Sequence, residues 1–310
     1  MDIVYMGTPD FAVPALEKLM EAGHKIMAVV TQPDRQRGRG KEVLYSPVKE
    51  CALKHDIPVF QPVKIKAPEA VEQLRSYRAD IFVVAAFGQI LSKEILEMPR
   101  YGCVNIHASL LPKYRGAAPI QWAVINGEDK TGVTIMQMDE GLDTGDILTQ
   151  REVLIAQEET GESLFGKLSV LGADLLVETL DGIWRGDVVK RKQDASFSTY
   201  ARMLKKEDGR IDWSRTSKQI EQQIRGMNSW PSAYTMWNGK TLKIWKAQWN
   251  QSVHAHAPGT LLAVEKESIS IACGEGVIRI LELQLEGKRR MPVKDFLLGY
   301  HMEEGSKLES

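Results

Sequence analysis

The feature that most restricts the fold lies in the first 160 residues, where short β-branched apolar runs alternate with amphipathic stretches. Parallel strands covered on both faces read as continuous apolar runs and need a crossover between them, so this alternation points to βαβ units and a mainly parallel sheet. Strands are predicted over residues 3–6, 26–31, 81–85, 102–107 and 133–138. The first helix is predicted over 11–22, with Gly23 where a left-handed cap belongs. Between the first strand and that helix stands Gly7-Thr8-Pro9-Asp10-Phe11-Ala12. It lacks the glycines of G-x-G-x-x-G, so the fold reads as α/β, Rossmann-like and doubly wound, without the backbone access that a dinucleotide pyrophosphate needs. A nicotinamide enzyme is rejected on that ground.

The pattern changes after Thr160. Leu164, Leu168, Leu171 and Leu175 recur at spacings of three and four, which predicts a helix capped by Thr160 or Ser163. Seven cations then stand against two acids between Arg185 and Lys206, a basic stretch read as a linker over 189–206. Beyond it, a short helix over 217–225 and brief strands over 241–245, 259–264, 268–272 and 277–283 suggest a second, smaller OB-like β-barrel. The expected domains are therefore 1–188, catalytic, and 207–310, barrel. A chain of 310 residues, 43% hydrophobic, has apolar material for both.

Charge and cysteine usage exclude some classes. With 40 basic and 41 acidic side chains, the chain has no bulk attraction to nucleic acid, so an RNA-binding face must come from local clustering. Cys51, Cys103 and Cys273 are odd in number and far apart, suggesting neither zinc nor a disulfide framework. The strand-like start without a leader, and the lack of an apolar run of about 20 residues, predict a cytoplasmic chain with no membrane partner.

The chemistry centres on Asn105-Ile106-His107-Ala108-Ser109-Leu110-Leu111-Pro112. Alternation along a strand puts Asn105 and His107 on one face, at the carboxyl end, where open α/β sheets bind ligands. About 30 residues later, Asp139-Glu140-Gly141-Leu142-Asp143-Thr144-Gly145-Asp146 forms a glycine-containing loop able to bring a carboxylate to the same rim. Acyl transfer to an amine needs a donor to polarise the carbonyl, a group to stabilise the oxyanion and a carboxylate to orient the imidazole. An α-amino group titrates near pH 8, so no activated serine, cysteine or metal is required. Spacing does not choose among Asp139, Asp143 and Asp146.

Asn-Ile-His-Ala-Ser-Leu-Leu-Pro-Lys-Tyr-Arg-Gly, followed by Gly-Leu-Asp-Thr-Gly-Asp, resembles the signature of folate-dependent formyltransferases. The resemblance implies that Asn105, His107 and Asp143 are catalytic, and that Ser109, Leu110, Leu111 and Pro112 belong to a tetrahydrofolate-binding segment. It also implies 10-formyltetrahydrofolate as donor co-substrate, with no metal. Phe87-Gly88-Gln89-Ile90-Leu91 resembles a loop lining the pterin pocket.

The resemblance extends over essentially the whole chain to the branch that formylates methionyl initiator tRNA, including Asn228-Ser229-Trp230-Pro231. That branch implies the tRNA acceptor stem as partner, with no obligate protein partner, in a bacterial cytoplasm. Arg35, Arg37, Arg39 and Lys41, set among glycines, resemble its tRNA-reaching insertion, with Arg39 at the key position. Such an arm can reach phosphates or stack on an unpaired base. The alternative is a sugar-nucleotide N-formyltransferase, which shares the motifs and needs no such arm.

Overall fold

The computed structural model describes residues 1–37 and 42–309. Two compact units emerge. One comprises Met1–Ala117, Thr131–Val153 and Phe165–Ala201, the other Ala118–Lys130, Leu154–Leu164 and Arg202–Ser310. The basic stretch 189–206 divides between them after Ala201.

The first unit is built on β1 (Asp2–Gly7), α1 (Val13–Glu21), β2 (Lys25–Val30), a hairpin of β3 (Arg35–Arg37) and β4 (Glu42–Leu44), α2 (Pro47–Lys54), β5 (Val59–Phe60), α3 (Pro68–Ser76), β6 (Ile81–Ala85), α4 (Lys93–Leu96), β7 (Cys103–His107) and β8 (Arg115–Gly116). After α5 (Pro119–Ile125) of the second unit come β9 (Lys130–Gln137), β10 (Ile147–Leu154), α6 (Gly161–Arg185) and β11 (Tyr200–Ala201). Seven strands form one sheet in the order β10-β9-β7-β6-β1-β2-β5. The pairings from β5 to β7 are parallel, and β9 lies antiparallel on β7. This is the mostly parallel sheet expected from the sequence. Val4, Met6, Phe82 and Val84 share one sheet face and pack with Val71 and Leu74 of α3. Each such buried side chain contributes roughly 1.5–3 kcal/mol of transfer free energy.

The strand order reverses between β1 and β6, which opens a crevice at their carboxyl ends. Both turns there are tightly held. A Cβ on Gly7 would lie 2.7 Å from Cβ of Ala12, and the buried Tyr5 hydroxyl donates to the Ala12 carbonyl at 2.5 Å. Across the crevice, Thr8 Oγ1 donates to the Phe87 carbonyl at 3.1 Å. The next strand, β7, is fixed from behind by α6, whose Gly172 would place a Cβ 2.8 Å from Ile106. Only a glycine lets helix and strand approach so closely. As expected, α6 starts at a reciprocal cap, with Ser163 N donating to Thr160 Oγ1 and Thr160 N to Ser163 Oγ.

The second unit contains α5, α7 (Ser217–Gly226), β12 (Ala233–Trp237), β13 (Lys240–Asn250), β14 (Leu261–Glu265), β15 (Ser268–Ala272), β16 (Val277–Leu285), β17 (Met291–Pro292) and α8 (Val293–Phe296). The sheet runs β12-β13-β16-β15-β14 with antiparallel pairing throughout, and β17 adds to β16. Residues 306–309 join its two edges: Leu261 N donates to Ser306 O and Leu308 N to Gly259 O on one side, while Met236 and Glu309 exchange backbone bonds on the other. The edges at β12 and β14 are thus each paired with this closing segment. Trp213, Ile220 and Ile224 fill the interior with Leu242, Ile244, Ile269, Ile278 and Leu308. Among the described residues, no helix is long and apolar enough to cross a membrane.

Leu308, 1% exposed, ties the closing segment into this core. Leu308→Ala is expected to destabilise the chain by about 2–5 kcal/mol in denaturant unfolding. Unchanged stability would show that the closing segment is a passive tail.

Candidate active site

His107 ends β7 with its ring 6% exposed. Its Nε2 lies 2.9 Å from the Tyr114 carbonyl oxygen. A carbonyl can only accept, so Nε2 carries the hydrogen and Nδ1 is the nitrogen left to gain or lose a proton. Nδ1 faces Asp143 Oδ2 at 3.7 Å, too long for a direct hydrogen bond. That carboxylate oxygen instead accepts from Gly116 N at 2.8 Å. The two groups thus face each other while each is anchored to segment 114–116.

The loop between β9 and β10 separates the three candidate acids. Asp139 Oδ1 accepts from Gly141 N at 3.0 Å and from Thr144 Oγ1 at 2.7 Å, so it shapes the loop from inside. Gln137 N bonds the Asp146 carbonyl, which ends the ladder. Asp143, at φ +53°, is the acid turned toward His107. Gly145 permits this path, because a Cβ there would sit 1.8 Å from the Gln137 carbonyl oxygen.

Asn105 lies two residues before His107 on the same face of β7, paired with Val84 and Met136 and half-buried. Its carboxamide has no protein partner among the described residues, so its NH2 is available to a ligand oxygen.

Residues 109–112 are positioned from below by Thr134. Thr134 Oγ1 donates to Ser109 O at 2.7 Å and accepts from Leu111 N at 3.1 Å, and Gln150 Nε2 reaches both Leu111 O and Thr134 Oγ1. Ser109 Oγ donates to Lys113 O, and Leu111 is buried against Met136 and Ile147. Leu110 packs toward Gly132, and Pro112 follows a cis peptide bond. Ser109 and Leu111 therefore build the turn from within. Loop 86–91 is braced similarly. Gln32 Nε2 donates to Phe87 O, and Gln89 bridges Ile65 N and Pro62 O, while Ile90 is 72% exposed. Arg39 and Lys41 lie outside the described residues.

Three residues to which the sequence reasoning gave no role hold the site, although Arg115 stands inside the quoted signature. Arg115 donates from Nε and Nη2 to Gln193 Oε1 at 3.1 and 2.8 Å. Gln193 Nε2 donates to the carbonyls of Asp143 and Gly145, both at 2.8 Å. Thr199 Oγ1 accepts from Tyr114 N at 2.8 Å. Nothing in a basic run marks one glutamine as special.

No cysteine supplies a nucleophile: all three are buried, and burial pushes the Cys103 and Cys273 thiols up to about 12. Among the described residues, no group of three or more His, Cys, Asp or Glu is placed to hold a metal ion.

Comparison with known proteins meets this geometry at both units. The formyl transferase pattern matches residues 1–180, and the formyl transferase C-terminal domain pattern matches 203–301. The chain belongs to the formyl transferase family. Similar curated proteins named methionyl-tRNA formyltransferase include those of Agathobacter rectalis, 54% identical over 99% of both chains, and Citrifermentans bemidjiense, 53% identical over 99% of this chain and 96% of that one. The protein of that name from Caldanaerobacter subterraneus is 49% identical over the full length of both. Among solved structures, the fold is shared with an N-formyltransferase from Helicobacter canadensis, crystallised with folinic acid and dTDP-3-aminofucose (TM-score 0.68, 22% identity, 90% of this chain and 98% of that one). It is also shared with HypX from Aquifex aeolicus, crystallised with tetrahydrofolic acid (TM-score 0.64, 18% identity, 96% of this chain). The chain spans about half the length of HypX, 46%.

Gly116, whose N–H holds Asp143, stands at φ +112° with a Cβ position 2.7 Å from the Ala201 carbonyl oxygen. Gly116→Ala is expected to cost about 1–3 kcal/mol in thermal unfolding. By displacing the N–H that holds Asp143, it should also slow formyl transfer at least about tenfold. An alanine variant with normal stability and rate would contradict the anchoring role.

Proposed function

We infer that the chain transfers the formyl group of 10-formyltetrahydrofolate to the α-amino group of methionyl initiator tRNA, giving N-formylmethionyl-tRNA. The observation that carries this reading is the 54% identity over 99% of both chains with a protein named methionyl-tRNA formyltransferase. The sugar N-formyltransferase alternative shares only the fold, at 21–22% identity. Each formyl transferase unit has its counterpart in this chain. The setting we infer for this role is a bacterial cytoplasm.

The methionyl amine attacks the formyl carbon, forming a C–N bond and a tetrahedral oxyanion. Collapse breaks the bond to N10 of the folate, which takes back a proton. Asn105 Nδ2 donates to the formyl oxygen as charge develops on it. His107 acts through Nδ1, since Nε2 is committed to Tyr114. A proton gained at Nδ1 faces the Asp143 carboxylate, so the imidazolium that stabilises the oxyanion and relays the amine proton forms beside a negative charge. Ser109, Leu110, Leu111 and Pro112 present the turn that seats the folate, with loop 87–91 beside the pterin. Arg39 reaches the acceptor end of the tRNA, where melting a weak terminal pair costs less than melting a strong one.

The test is transfer of labelled formyl from 10-formyltetrahydrofolate to methionyl initiator tRNA, beside methionyl elongator tRNA and an amino-sugar nucleotide. Strong labelling of initiator tRNA alone is expected; labelling of the sugar alone would move the chain to the sugar branch. Asp143→Asn should reduce the rate at least about 100-fold while folate binding stays intact. Full activity in that variant would remove Asp143 from the mechanism.

A further inference from the structure

We propose that Gln193 is a positioning residue for formyl transfer, acting through the backbone of the loop that carries Asp143. The proposal rests on the reading that His107 and Asp143 carry the reaction. Gln193 lies between the two matched family regions, which end at residue 180 and resume at 203. Within 189–197 it is the one half-buried residue among exposed neighbours, several of them cationic. The stretch sends its charges outward and its glutamine inward.

Chemistry fixes the orientation of that amide. Arg115 has only donors, so the amide oxygen must face its guanidinium, and the NH2 must face the carbonyls of Asp143 and Gly145. Only this arrangement satisfies all four contacts; a flipped amide would satisfy none. The loop needs such support. Asp143 is a non-glycine residue at φ +53°, a conformation that persists only where the surroundings over-determine it. Gly116 N holds its carboxylate and Gln193 holds its carbonyl, so the residue is gripped at both ends.

The same segment braces the other half of the site. Arg115 N bonds the Thr199 carbonyl, Ala117 N bonds the Ala201 carbonyl, and β11 pairs with β8. Residues 193–201 therefore set the strand from which Tyr114 and Gly116 hold His107 and Asp143. Loss of Gln193 removes the two bonds that tie segment 193–201 directly to the backbone of the Asp143 loop.

The experiment uses the full chain with Gln193→Glu and Gln193→Met, assayed with 10-formyltetrahydrofolate and methionyl initiator tRNA. Glutamate keeps the contact to Arg115 and puts an oxygen against two carbonyl oxygens; methionine keeps the volume without polar atoms. We expect kcat to fall about 10- to 100-fold in both, with KM for donor and acceptor changed less than about threefold. If the glutamate variant does not fold, the methionine variant carries the same expectation. In an Asp143→Asn background, single-turnover labelling should show less than about a twofold further loss, because residues acting as one unit are not additive. A wild-type kcat in the Gln193 variants, with Asp143→Asn inactive, overturns the proposal and leaves the site reading intact. Equal fractional losses in both backgrounds also overturn it, placing the action of Gln193 elsewhere. Full activity in Asp143→Asn overturns the site reading and the proposal together.

Discussion

The hydrogen bond from His107 Nε2 to the Tyr114 carbonyl governs the chemistry of the site, because it settles which ring nitrogen can change its protonation. With Nε2 a permanent donor, Nδ1 is the nitrogen that faces Asp143. The ring is buried, so in the other tautomer a bare Nε2 would face the Tyr114 carbonyl and leave that oxygen without this donor, at a cost of about 1–3 kcal/mol. Everything around it keeps Tyr114 in place. Its N–H is tied to Thr199, its backbone stands at φ +60°, and two residues on Gly116 holds the facing carboxylate.

Those constraints depend on the sheet beneath them. Parallel strands place the ends of β1, β6 and β7 at one edge, and the reversal of order between β1 and β6 opens the crevice there. Gly116 and Gly145 let backbone approach backbone, and Gly7 and Gly172 let the side chains of Ala12 and Ile106 pack where a Cβ would collide. The loop bearing Asp143 is thus fixed by covalent geometry as much as by hydrogen bonds. The second unit achieves stability differently, by tying the two edges of an antiparallel sheet together through residues 306–309.

Much of this was legible in the sequence, and the parts that were not share a physical cause. The continuous apolar runs gave β6 at 81–85 and β15 at 268–272 to the residue, and β1, β2, β7 and β16 to within two. Period-two and period-four patterns are local, so they survive in a single chain read alone. The first helix, predicted over 11–22, begins as a 3-10 turn at Asp10–Ala12 and becomes α1 only at Val13, with Pro14 in its first turn. The sheet edges at β10 and β12 were missed, their half-exposed residues giving weak patterns. In the site, strand alternation paired Asn105 with His107 correctly on one face. Spacing left Asp139, Asp143 and Asp146 open and the resemblance alone chose Asp143; the loop's own hydrogen bonds turn Asp139 inward while Asp143 faces His107. The contacts of Arg115, Gln193 and Thr199 were not legible because they join residues some 80 positions apart.

The central claim is that His107 acts as an Nε2–H imidazole whose proton exchange occurs at Nδ1. Nitrogen-15 NMR of selectively labelled histidine, with His107 assigned by its loss in His107→Gln, reads this directly. A protonated Nε2 and an unprotonated Nδ1 in the neutral ring, with Nδ1 the nitrogen that responds on acidification, is the predicted result. A neutral ring protonated at Nδ1 and bare at Nε2 would contradict it, since Tyr114 could not then be the fixed partner and the mechanism would have to run through the other nitrogen.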